Sequence, residues 1–377
     1  MERIKNNQSR LGIFVFYDVN TVVNDYVIFL LNSITEVVNE LIIVVNKGNG
    51  LGTLKELSNF TSYLYVRENI GYDGGAYKDV FLKFHTDENW ERWDEIVLFN
   101  DTFYGPFFSW KYIFDKFSKE KVDFWGLSKW VKGDSRDLGC EIDEHVQGYF
   151  IVIRKSLILS SHFFEFWNNL QYPYTYRDAV IDFEANFSGF FTKKGYQYKT
   201  WLDLMDGNSL LHEGEVVYLK YANQLICDLH FPIVKRKVFS ITNFIKIDKI
   251  IKYIEKNYCY DINLIWDHLK YLDKNQPFKP FSINKMEDFY NSHKKIYIYG
   301  YGKWGHEIEK YFEYKKWKVE KFVVSEKTDR ENIISFSELM LDKMDGLILA
   351  LGYKAFEEVY PMVVSRYNNQ QLLIPNF

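Results

Sequence analysis

The sequence predicts an α/β protein with two domains, and three features lead to this prediction. Short apolar, β-branched runs alternate with helical segments across residues 11–100, as in a parallel sheet with helices on both faces. A strand, a glycine-rich turn and a helix follow one another again near residue 300. The 377 residues also exceed what a single hydrophobic core usually supports.

The first domain is predicted to contain four buried strands, each followed by polar residues. The runs LGIFVFYD, LIIVVN, SYLYV and EIVLFN place these strands at Leu11–Asp18, Leu41–Asn46, Ser62–Val66 and Glu95–Asn100. Helices are expected between them, over Val22–Val38, over Leu54–Phe60 and from the Arg67–Gly75 loop to Phe84. Such sheets bind ligands at the carboxyl ends of their strands. The polar residues there predict one shared site: Asp18, Asn46, Arg67, Asn100 and Asp101.

The predicted domain limits are residues 1–238 for the first domain, 239–289 for a helical linker and 290–377 for a small Rossmann-like domain. Between Pro232 and Lys256, seven Lys and Arg residues stand against two acids, and isoleucines at helical spacing predict an amphipathic helix. The prolines of KNQPFKPFS (Lys274–Ser282) mark the candidate boundary before the last domain. A helix is also predicted over Arg177–Lys194, and further strands at Lys321–Val324 and Gly346–Leu351.

Composition and charge exclude several classes of protein. A net charge of −4 argues against a general nucleic-acid binder, which carries a basic excess. Three scattered cysteines, Cys140, Cys227 and Cys259, are too few for a disulfide framework or a zinc knuckle and fit a reducing compartment. The start of the chain lacks the apolar core of a secretory signal, and no run approaches the ~20 apolar residues that span a bilayer. We therefore expect a cytoplasmic protein whose membrane contact, if any, is peripheral.

The segment RENIGYDGGAYKDV, after the third strand, is the strongest candidate for a ligand-binding loop. Glycine lets the backbone approach a ligand closely or adopt a positive φ. A cation, an amide and a carboxylate accompany the glycines, and the helix expected from near Ala76 offers free N–H groups to an anion. These residues suit ribose and diphosphate: Arg67, Asn69, Gly71, Asp73, Gly74 and Gly75. The alternative is a tight strand-to-helix turn that uses glycine for its geometry alone.

The segment LFNDTFYGPF ends the fourth strand, so Asn100 and Asp101 are expected at the ligand edge of the sheet. A carboxylate in this position can bind a divalent cation, Mg²⁺ or Mn²⁺, that neutralises a diphosphate. Only one acid is present, however, where metal sites of this kind usually offer two, and a single Asp after a strand often caps a turn. Metal binding by Asp101 is therefore one of two alternatives.

Six motifs resemble, in the same order, those of the rhamnan synthesis F family of bacterial polysaccharide enzymes: RENIGYDGGAY, LFNDTFYGPF, DFWGLSKW, HVQGYFIVIRKSLI, FEANFSGFFTKKGY and HFPIVKRKVF. The resemblance covers roughly Leu11–Asp267. It implies an inverting glycosyltransferase of the GT-A fold that builds capsular, cell-wall or O-antigen glycans from nucleotide sugars. By motif position it implies a donor site at Asp18, Arg67, Asn69, Asp73, Asn100 and Asp101, which the loop glycines Gly71 and Gly74 join. The resemblance does not identify the sugar.

An inverting transfer needs a general base that accepts the proton of the acceptor hydroxyl. Glu184 in DFEANFSGFF is the candidate, because it lies on a largely apolar helix and matches the family's motif. Burial in a cleft would raise its pKa toward the working range. Asp182 and Asp178 are alternatives on the same helix, and Glu184 could instead be a solvated residue.

Four further residues are candidates for acceptor or phosphate binding: His145, Gln147, Lys235 and Arg236. The first two precede an apolar strand and could bind acceptor hydroxyls, although a lone His is more often structural. The basic pair follows Pro232 and could bind the donor diphosphate or the phosphate of a lipid-linked acceptor. With the basic helix beyond, it could also contact anionic lipids, whereas the simpler alternative is a helix with its charges in water.

The segment GYGKWG near the end of the chain fits G-x-G-x-x-G after a strand and before a helix, the context of a dinucleotide-binding loop. Its glycines are Gly300, Gly302 and Gly305, and Glu326 is the candidate ribose-binding acid, somewhat late in spacing. Nucleotide or nucleotide-sugar binding, regulation and homo-oligomerisation all stay open for this domain.

The sequence thus leaves three functions. The first is the glycosyltransferase, moving rhamnose or another hexose from a dTDP- or UDP-sugar to a growing, lipid-linked glycan. The second is an NAD(P)-dependent or nucleotide-sugar-modifying enzyme that acts through the C-terminal domain. The third is a nucleotide-sugar-binding protein without catalysis.

Overall fold

The computed structural model describes residues 8–50, 54–86, 89–135, 138–240, 243–275, 283–326 and 330–375. The chain forms two compact units: the first is Met1–Arg236 with Tyr253–Asp261, and the second is Lys237–Lys252 with Ile262–Phe377. The region of the predicted linker is thus divided between the units. Most of the predicted boundary segment Lys274–Ser282 lies outside the described residues. The three-part division of the chain stays a prediction.

The strands of the first unit are runs of mainly apolar residues. In chain order they are β1 (Arg10–Tyr17), β2 (Glu40–Lys47), β3 (Tyr63–Glu68), β4 (Glu95–Asn100), β5 (Phe103–Tyr104), β6 (Phe124–Gly126), β7 (Lys129–Trp130), β8 (Gly133–Ser135), β9 (Cys140–Ile142), β10 (His145–Val146), β11 (Phe150–Arg154), β12 (Tyr198–Thr200) and β13 (Val234–Lys235). A seven-stranded sheet has the order β12-β6-β11-β4-β1-β2-β3. In it, β1 pairs in parallel with β2 and β4, β2 pairs in parallel with β3, and β11 runs antiparallel to β4 and β6.

The strands at the centre of this sheet are buried on both faces, which explains their continuous apolar sequence. Phe14 of β1 lies in register with Ile43 of β2 and Phe99 of β4, and all three side chains are fully buried. The four predicted strands are confirmed, with bounds that differ by a residue or two and with Glu95–Asn100 unchanged. The α/β fold class is confirmed, with parallel and antiparallel strand pairs in the seven-stranded sheet. The GT-A-like assignment of the first domain stays a prediction.

The helices of the first unit connect these strands. They are α1 (Asp25–Ile34), α2 (Lys55–Ser58), α3 (Tyr72–Asp79), α4 (Trp110–Phe117), α5 (Lys155–Ile158), α6 (Ser161–Asn169), α7 (Tyr176–Asp178), α8 (Asn186–Lys193), α9 (Trp201–Leu204), α10 (Val217–Lys220) and α11 (Ala222–Cys227). A π-helical segment, Val80–Phe84, continues α3, and a second, Ala179–Ala185, joins α7 to α8. The helix predicted over Arg177–Lys194 is therefore confirmed, with a π-helical middle.

Aromatic rings fill much of the core of the first unit. The ring of Trp167 lies 4.7 Å from that of Phe81 and 6.1 Å from that of Phe183, measured between centroids. Trp110 stacks on Phe150 at 4.7 Å. Each ring buries a large apolar area, so packing of this kind accounts for much of the 19% aromatic content of the chain.

The helix after β3 begins earlier than its sequence suggests. We expected it from near Ala76, but α3 begins at Tyr72, capped by Gly71 with φ +82°. Gly74 and Gly75 therefore lie inside a helix and serve close packing rather than a positive φ. A Cβ atom on Gly74 would lie 2.7 Å from the ring of Phe183, and one on Gly75 would lie 2.5 Å from a backbone oxygen.

The second unit contains a five-stranded parallel sheet. Its strands are β14 (Lys295–Tyr299), β15 (Lys321–Val324), β16 (Ile333–Ser335), β17 (Asp345–Leu349) and β18 (Leu372–Leu373), in the order β16-β15-β14-β17-β18. The α-helices that follow α11 in the described residues are α12 (Phe244–Asn257), α13 (Asn263–Asn275), α14 (Ile283–Ser292), α15 (Lys303–Lys315) and α16 (Tyr353–Val364). This sheet confirms the small Rossmann-like domain. None of the helices in the described ranges is long and apolar enough to cross a bilayer.

Candidate active site

The predicted polar residues do meet at the carboxyl ends of the parallel strands. Asn46 of β2 lies in register between Tyr17 of β1 and Arg67 of β3. Asn100 ends β4 beside Val15 of β1. Because parallel strands end at the same edge of a sheet, these side chains and the residues that follow them form one cluster.

The side chain of Arg67 hydrogen-bonds to three groups of the protein at this edge of the sheet. Its Nε donates to Asp79 at 2.7 Å, its Nη1 donates to the amide oxygen of Asn46 at 2.6 Å, and its Nη2 donates to the carbonyl of Ile70 at 2.5 Å. The amide nitrogen of Asn46 in turn donates to the carbonyl of Tyr72 at 3.2 Å. Arg67 thus connects β2, the turn before α3 and α3 itself, so its geometry favours a positioning role over direct contact with a ligand.

Asp18, Gly71 and Asn69, which the sequence also predicts at the donor site, differ in their surroundings. Asp18 is buried, and its Oδ1 accepts the backbone N–H groups of Asn20 at 2.9 Å and Val22 at 3.0 Å, which shapes the turn after β1. Gly71 caps α3, as described above. Asn69 is exposed between β3 and α3, where its amide is accessible to a ligand.

Asp73 and Asn100 form the centre of the cluster. The amide nitrogen of Asn100 donates to Asp73 at 2.6 Å, and the amide oxygen accepts both the hydroxyl of Thr102 at 2.6 Å and its backbone N–H at 3.1 Å. Burial raises the pKa of Asp73 to about 6, although the bond from Asn100 opposes the shift. A carboxyl that titrates near neutrality at this edge is typical of a functional site.

Asp101 forms an ion pair with Arg236. Its Oδ2 accepts from the guanidinium at 2.7 Å and from the hydroxyl of Tyr26 on α1 at 3.0 Å. The guanidinium also donates to the Tyr26 oxygen at 2.8 Å. The Asp101 side chain is 5% exposed and that of Arg236 is 23% exposed, so the cation forms the outer side of the pair.

Lys235 lies on the same edge because β13 pairs antiparallel with β5, which places it beside Phe103. Its ammonium donates to the hydroxyl of Thr102 and lies 4.0 Å from the ring centre of Tyr149 and 5.7 Å from that of Tyr218. Burial lowers the pKa of Lys235 to about 7. The predicted basic pair is therefore part of the strand-end cluster, and the Lys235 side chain is buried there.

Glu184 lies in the π-helical segment between α7 and α8. Its Oε2 accepts the backbone N–H of Gly148 at 2.8 Å and lies 4.0 Å from Nε2 of His145. Burial raises the pKa of Glu184 to about 7, with Lys235 lowering it and Asp73 raising it further. Gly148 is required here, because a Cβ atom would lie 2.8 Å from the Glu184 side chain.

The two alternative acids have other surroundings. Asp178 forms a capping box with Thr175, accepting its backbone N–H at 2.9 Å. Asp182 is exposed, and the slight desolvation of its carboxyl raises its pKa in the same direction but without the contact to Gly148. Among the three candidates, Glu184 is the one surrounded by the other charged groups of the site.

The predicted acceptor residues border Glu184. His145 is buried, its Nδ1 lies 2.7 Å from the carbonyl of Asp143, and burial lowers its pKa to about 4, so the imidazole is neutral near pH 7. Gln147 accepts the hydroxyl of Ser128 at 2.5 Å, and that hydroxyl also lies 2.6 Å from the oxygen of Tyr149. His145 is therefore a neutral hydrogen-bonding group and not a cation.

Sequence reasoning missed several residues of this cluster. Tyr26 lies on α1 and reaches Asp101 across 75 positions, which no local pattern indicates. Thr102 and Tyr149 lie within the motifs LFNDTFYGPF and HVQGYFIVIRKSLI, so their place in those motifs was an available signal.

Tyr77 was also missed. Its hydroxyl is fully buried and has no hydrogen-bond partner among the described residues. Burial raises its pKa, and the charges of Asp73, Glu184 and Asp101 raise it further, which places the hydroxyl among the acids of the site.

In the second unit, the glycine turn has the geometry that its sequence predicts. Gly300 follows β14 with φ +111°, and Gly302 caps α15. A Cβ atom on Gly305 would lie 2.1 Å from the carbonyl oxygen of Gly300, so the third glycine permits close contact between helix and turn. Glu326 is exposed just beyond β15.

The fold and the strand-end cluster together define an α/β domain with charged and polar residues gathered at the carboxyl edge of its sheet. The chain belongs to the family described as Rhamnan synthesis protein F, whose profile matches residues 41–343. The description of this family refers to the synthesis of rhamnan. The match extends beyond the Leu11–Asp267 range that the motifs indicate and into the second unit.

Two curated relatives and one solved structure are similar to the chain. Virulence protein VirA of Vibrio anguillarum (strain ATCC 68554 / 775) is 25% identical over 203 residues, which cover 52% of this chain and 58% of that protein; a second VirA sequence from Vibrio anguillarum gives the same values. The chain thus spans little more than half the length of these relatives. A crystal structure described as a nucleotide-diphospho-sugar transferase from Desulfovibrio desulfuricans G20 is 14% identical, with 66% of this chain and 97% of that chain covered and a TM-score of 0.28. A TM-score at this level carries no argument about fold or function.

Proposed function

We propose that the chain is an inverting glycosyltransferase that moves rhamnose or another hexose from a dTDP- or UDP-sugar to a growing cell-surface polysaccharide. The observation that carries the proposal is the half-buried carboxylate of Glu184, which accepts the backbone N–H of Gly148 at 2.8 Å and whose pKa desolvation raises to about 7, at the carboxyl edge of the sheet with Lys235. Capsule, cell wall and O-antigen are the candidate products, and the acceptor is a lipid-linked glycan at the cytoplasmic face of the membrane.

Glu184 acts as the general base in this proposal. Its Oε1 or Oε2 accepts the proton of the acceptor hydroxyl while the hydroxyl oxygen bonds to the anomeric carbon of the donor. The bond from that carbon to the diphosphate oxygen breaks at the same time, and the nucleoside diphosphate leaves with one more negative charge. A base with a pKa near the working pH is the most effective. Neutral His145, 4.0 Å away, can bind an acceptor hydroxyl without neutralising Glu184.

The donor site is proposed to surround Asp73 and Asn100. Asn69 and the turn after β1 shaped by Asp18 lie at the same edge and suit the nucleoside. Arg67 and Gly71 would act by positioning, since the former is fully engaged with protein groups and the latter caps α3. Gln147 and His145 are proposed to face the acceptor.

The second unit supports a separate candidate function. Its glycine turn, with Gly300 at φ +111° and α15 capped by Gly302, favours binding of a nucleotide or a nucleotide sugar. It is proposed to regulate the transferase domain or to mediate homo-oligomerisation rather than to catalyse. Titrating the full chain with NAD and with nucleotide sugars, before and after Gly305→Ala, would separate this site from the first one.

The test of the main proposal is donor turnover by purified protein. We expect slow hydrolysis of one dTDP- or UDP-sugar, and Glu184→Gln should reduce it at least about 100-fold, the usual contribution of a general base. Asp182→Asn is the matched control, because it removes a neighbouring acid with no contact to Gly148. The site assignment is wrong if Asp182→Asn, and not Glu184→Gln, abolishes turnover. A folded protein that binds donor sugars without any turnover would favour the non-catalytic alternative.

A further inference from the structure

The sequence makes Asp101 a candidate ligand for a divalent cation. The groups around its carboxylate, however, do not fit such an ion. Mg²⁺ and Mn²⁺ prefer several oxygen ligands. The Asp101 carboxylate already holds a guanidinium at 2.7 Å, and the neighbouring amide of Asn100 bonds to Asp73 and Thr102. In the part of the chain that the structure describes, no three His, Cys, Asp or Glu side chains converge as a metal site would require.

The positively charged side chains of Arg236 and Lys235, in contrast, lie at the strand ends where the donor diphosphate is proposed to bind. Arg236 is the outer member of its ion pair, at 23% side-chain exposure against 5% for Asp101. Lys235 lies beside it on the same strand-end, held by Thr102 and by the ring of Tyr149 at 4.0 Å. A guanidinium presents two parallel N–H groups to phosphate oxygens, and an ammonium adds a compact point charge.

We propose that Arg236 and Lys235 bind the donor diphosphate in the role that a divalent cation fills in metal-dependent enzymes, and that Asp101 and Tyr26 are positioning residues for Arg236. This rests on the proposed function, because it concerns the diphosphate of the same donor. Arginine keeps its charge at every working pH, so one of the two charges is permanent. The negative charge that the leaving diphosphate gains is then neutralised by groups of the chain itself.

Binding of UDP and dTDP to the full chain tests this directly. We expect the dissociation constant in EDTA to lie within about threefold of the value in excess Mg²⁺ or Mn²⁺, a difference under about 1 kcal/mol. Arg236→Met should weaken binding at least about tenfold, with or without metal. Arg92→Met is the matched control: Arg92 pairs with Glu40 at 2.8 Å elsewhere on the same unit, and its loss should change nothing.

The role of Asp101 is resolved by a double substitution. If Asp101 acts through Arg236, then Asp101→Asn weakens binding on its own but adds little in the presence of Arg236→Met, because the two residues form one unit. Arg236→Lys keeps the charge without the guanidinium fork and should bind with intermediate affinity. Thermal unfolding of each variant in parallel identifies any that fail to fold.

Two results would count against this inference in different ways. If UDP or dTDP binds only after Mn²⁺ or Mg²⁺ is added, and Asp101→Asn removes that dependence, then Asp101 is a metal ligand; the inference is overturned while the proposed transferase stands. If neither nucleotide binds with or without metal, the donor site itself is absent, and the proposed function falls together with the inference.

Discussion

At the scale of single residues, three groups whose pKa values are displaced toward neutrality lie together in the strand-end cluster. Asp73, Glu184 and Lys235 each titrate near neutrality, with pKa values of about 6, 7 and 7, and burial is the largest cause in each case. Folding does not require three such groups in one place, since each costs free energy to bury. Their convergence is therefore best explained by chemistry at this edge.

The pH dependence of turnover follows from two of these groups. We expect kcat/KM to rise as Glu184 deprotonates around pH 7 and to fall again as Lys235 loses its proton in the same range, giving a narrow bell. Lys235→Arg keeps the positive charge at high pH and should remove the alkaline limb. A profile of kcat/KM from about pH 5 to 9 measures both limbs. An alkaline limb that persists in Lys235→Arg would show that another group produces it.

Glu184 should also destabilise the fold at neutral and higher pH. Burial raises its pKa from 4.5 to about 7, so the folded state binds the proton more tightly than the unfolded state does. This favours folding at low pH, and the advantage is lost as the pH rises from about 4.5 through 7. Glu184→Gln is therefore expected to be more stable than the natural protein by about 1–3 kcal/mol at pH 8.

Urea unfolding at pH 8 and at pH 4 checks this expectation. At pH 4 both side chains are uncharged, and the difference in the free energy of unfolding should nearly vanish. Asp182→Asn serves again as the comparison, because Asp182 is less buried and lies outside the charged cluster. Equal effects of Glu184→Gln at both pH values would mean that charge burial is not the cause.

At the scale of elements, α3 contacts the π-helical segment Ala179–Ala185. This contact sets the positions of Asp73 and Glu184 relative to each other. Asp73 lies on α3, Glu184 lies in the π-helical segment, and Phe183 packs against the backbone of α3 at Gly74. The close approach needs the absence of a side chain at residue 74. This glycine is therefore explained by packing, and its effect on the ligand is indirect.

Substitution of two helical glycines tests this explanation. Gly74→Ala would place Cβ 2.7 Å from the ring of Phe183 and should destabilise the fold by about 1–3 kcal/mol. Gly189 lies in α8, where a Cβ atom would have nothing within 4 Å, so Gly189→Ala should instead stabilise by about 0.5–1 kcal/mol through helix propensity. Urea unfolding measures both. Stabilisation by Gly74→Ala would contradict the packing explanation.

At the scale of the whole molecule, the described residues of each unit form a main hydrophobic core of their own. One surrounds the seven-stranded sheet, and the other surrounds the five-stranded sheet with Tyr299, Leu347 and Val363 among its members. Units with separate cores need not unfold together. This separation offers a way to assign each ligand to its unit.

Calorimetry of the full chain should show two transitions, and UDP or dTDP should shift the one that belongs to the first unit. A nucleotide at 100 times its dissociation constant adds about 2.7 kcal/mol to the unit that binds it. Gly305→Ala, whose Cβ would lie 2.1 Å from the carbonyl of Gly300, should lower the other transition. Gly302→Ala is the control, because nothing lies within 4 Å of its Cβ. A single transition that moves with both perturbations would contradict this assignment.

The sequence by itself determined the strands, the class of fold and the edge of the sheet where the polar residues gather. These follow from local patterns: apolar runs of strand length, a fourth strand whose bounds were correct, and side chains such as Asn46 and Asn100 placed directly at strand ends. The glycine turn of the second unit could be predicted for the same reason, because the backbone geometry of a turn depends on residues that are adjacent in the chain.

Only the tertiary structure decided what these residues do. Arg236 forms an ion pair with Asp101, which lies 135 positions earlier in the chain. The candidate metal ligand is therefore already paired with a cation of the protein. Arg67 proved to be engaged with the protein on all sides, and Glu184 acquired its raised pKa from burial beside groups on other elements. Such properties depend on which distant segments come together in a low-dielectric interior, and no local pattern in the chain encodes that.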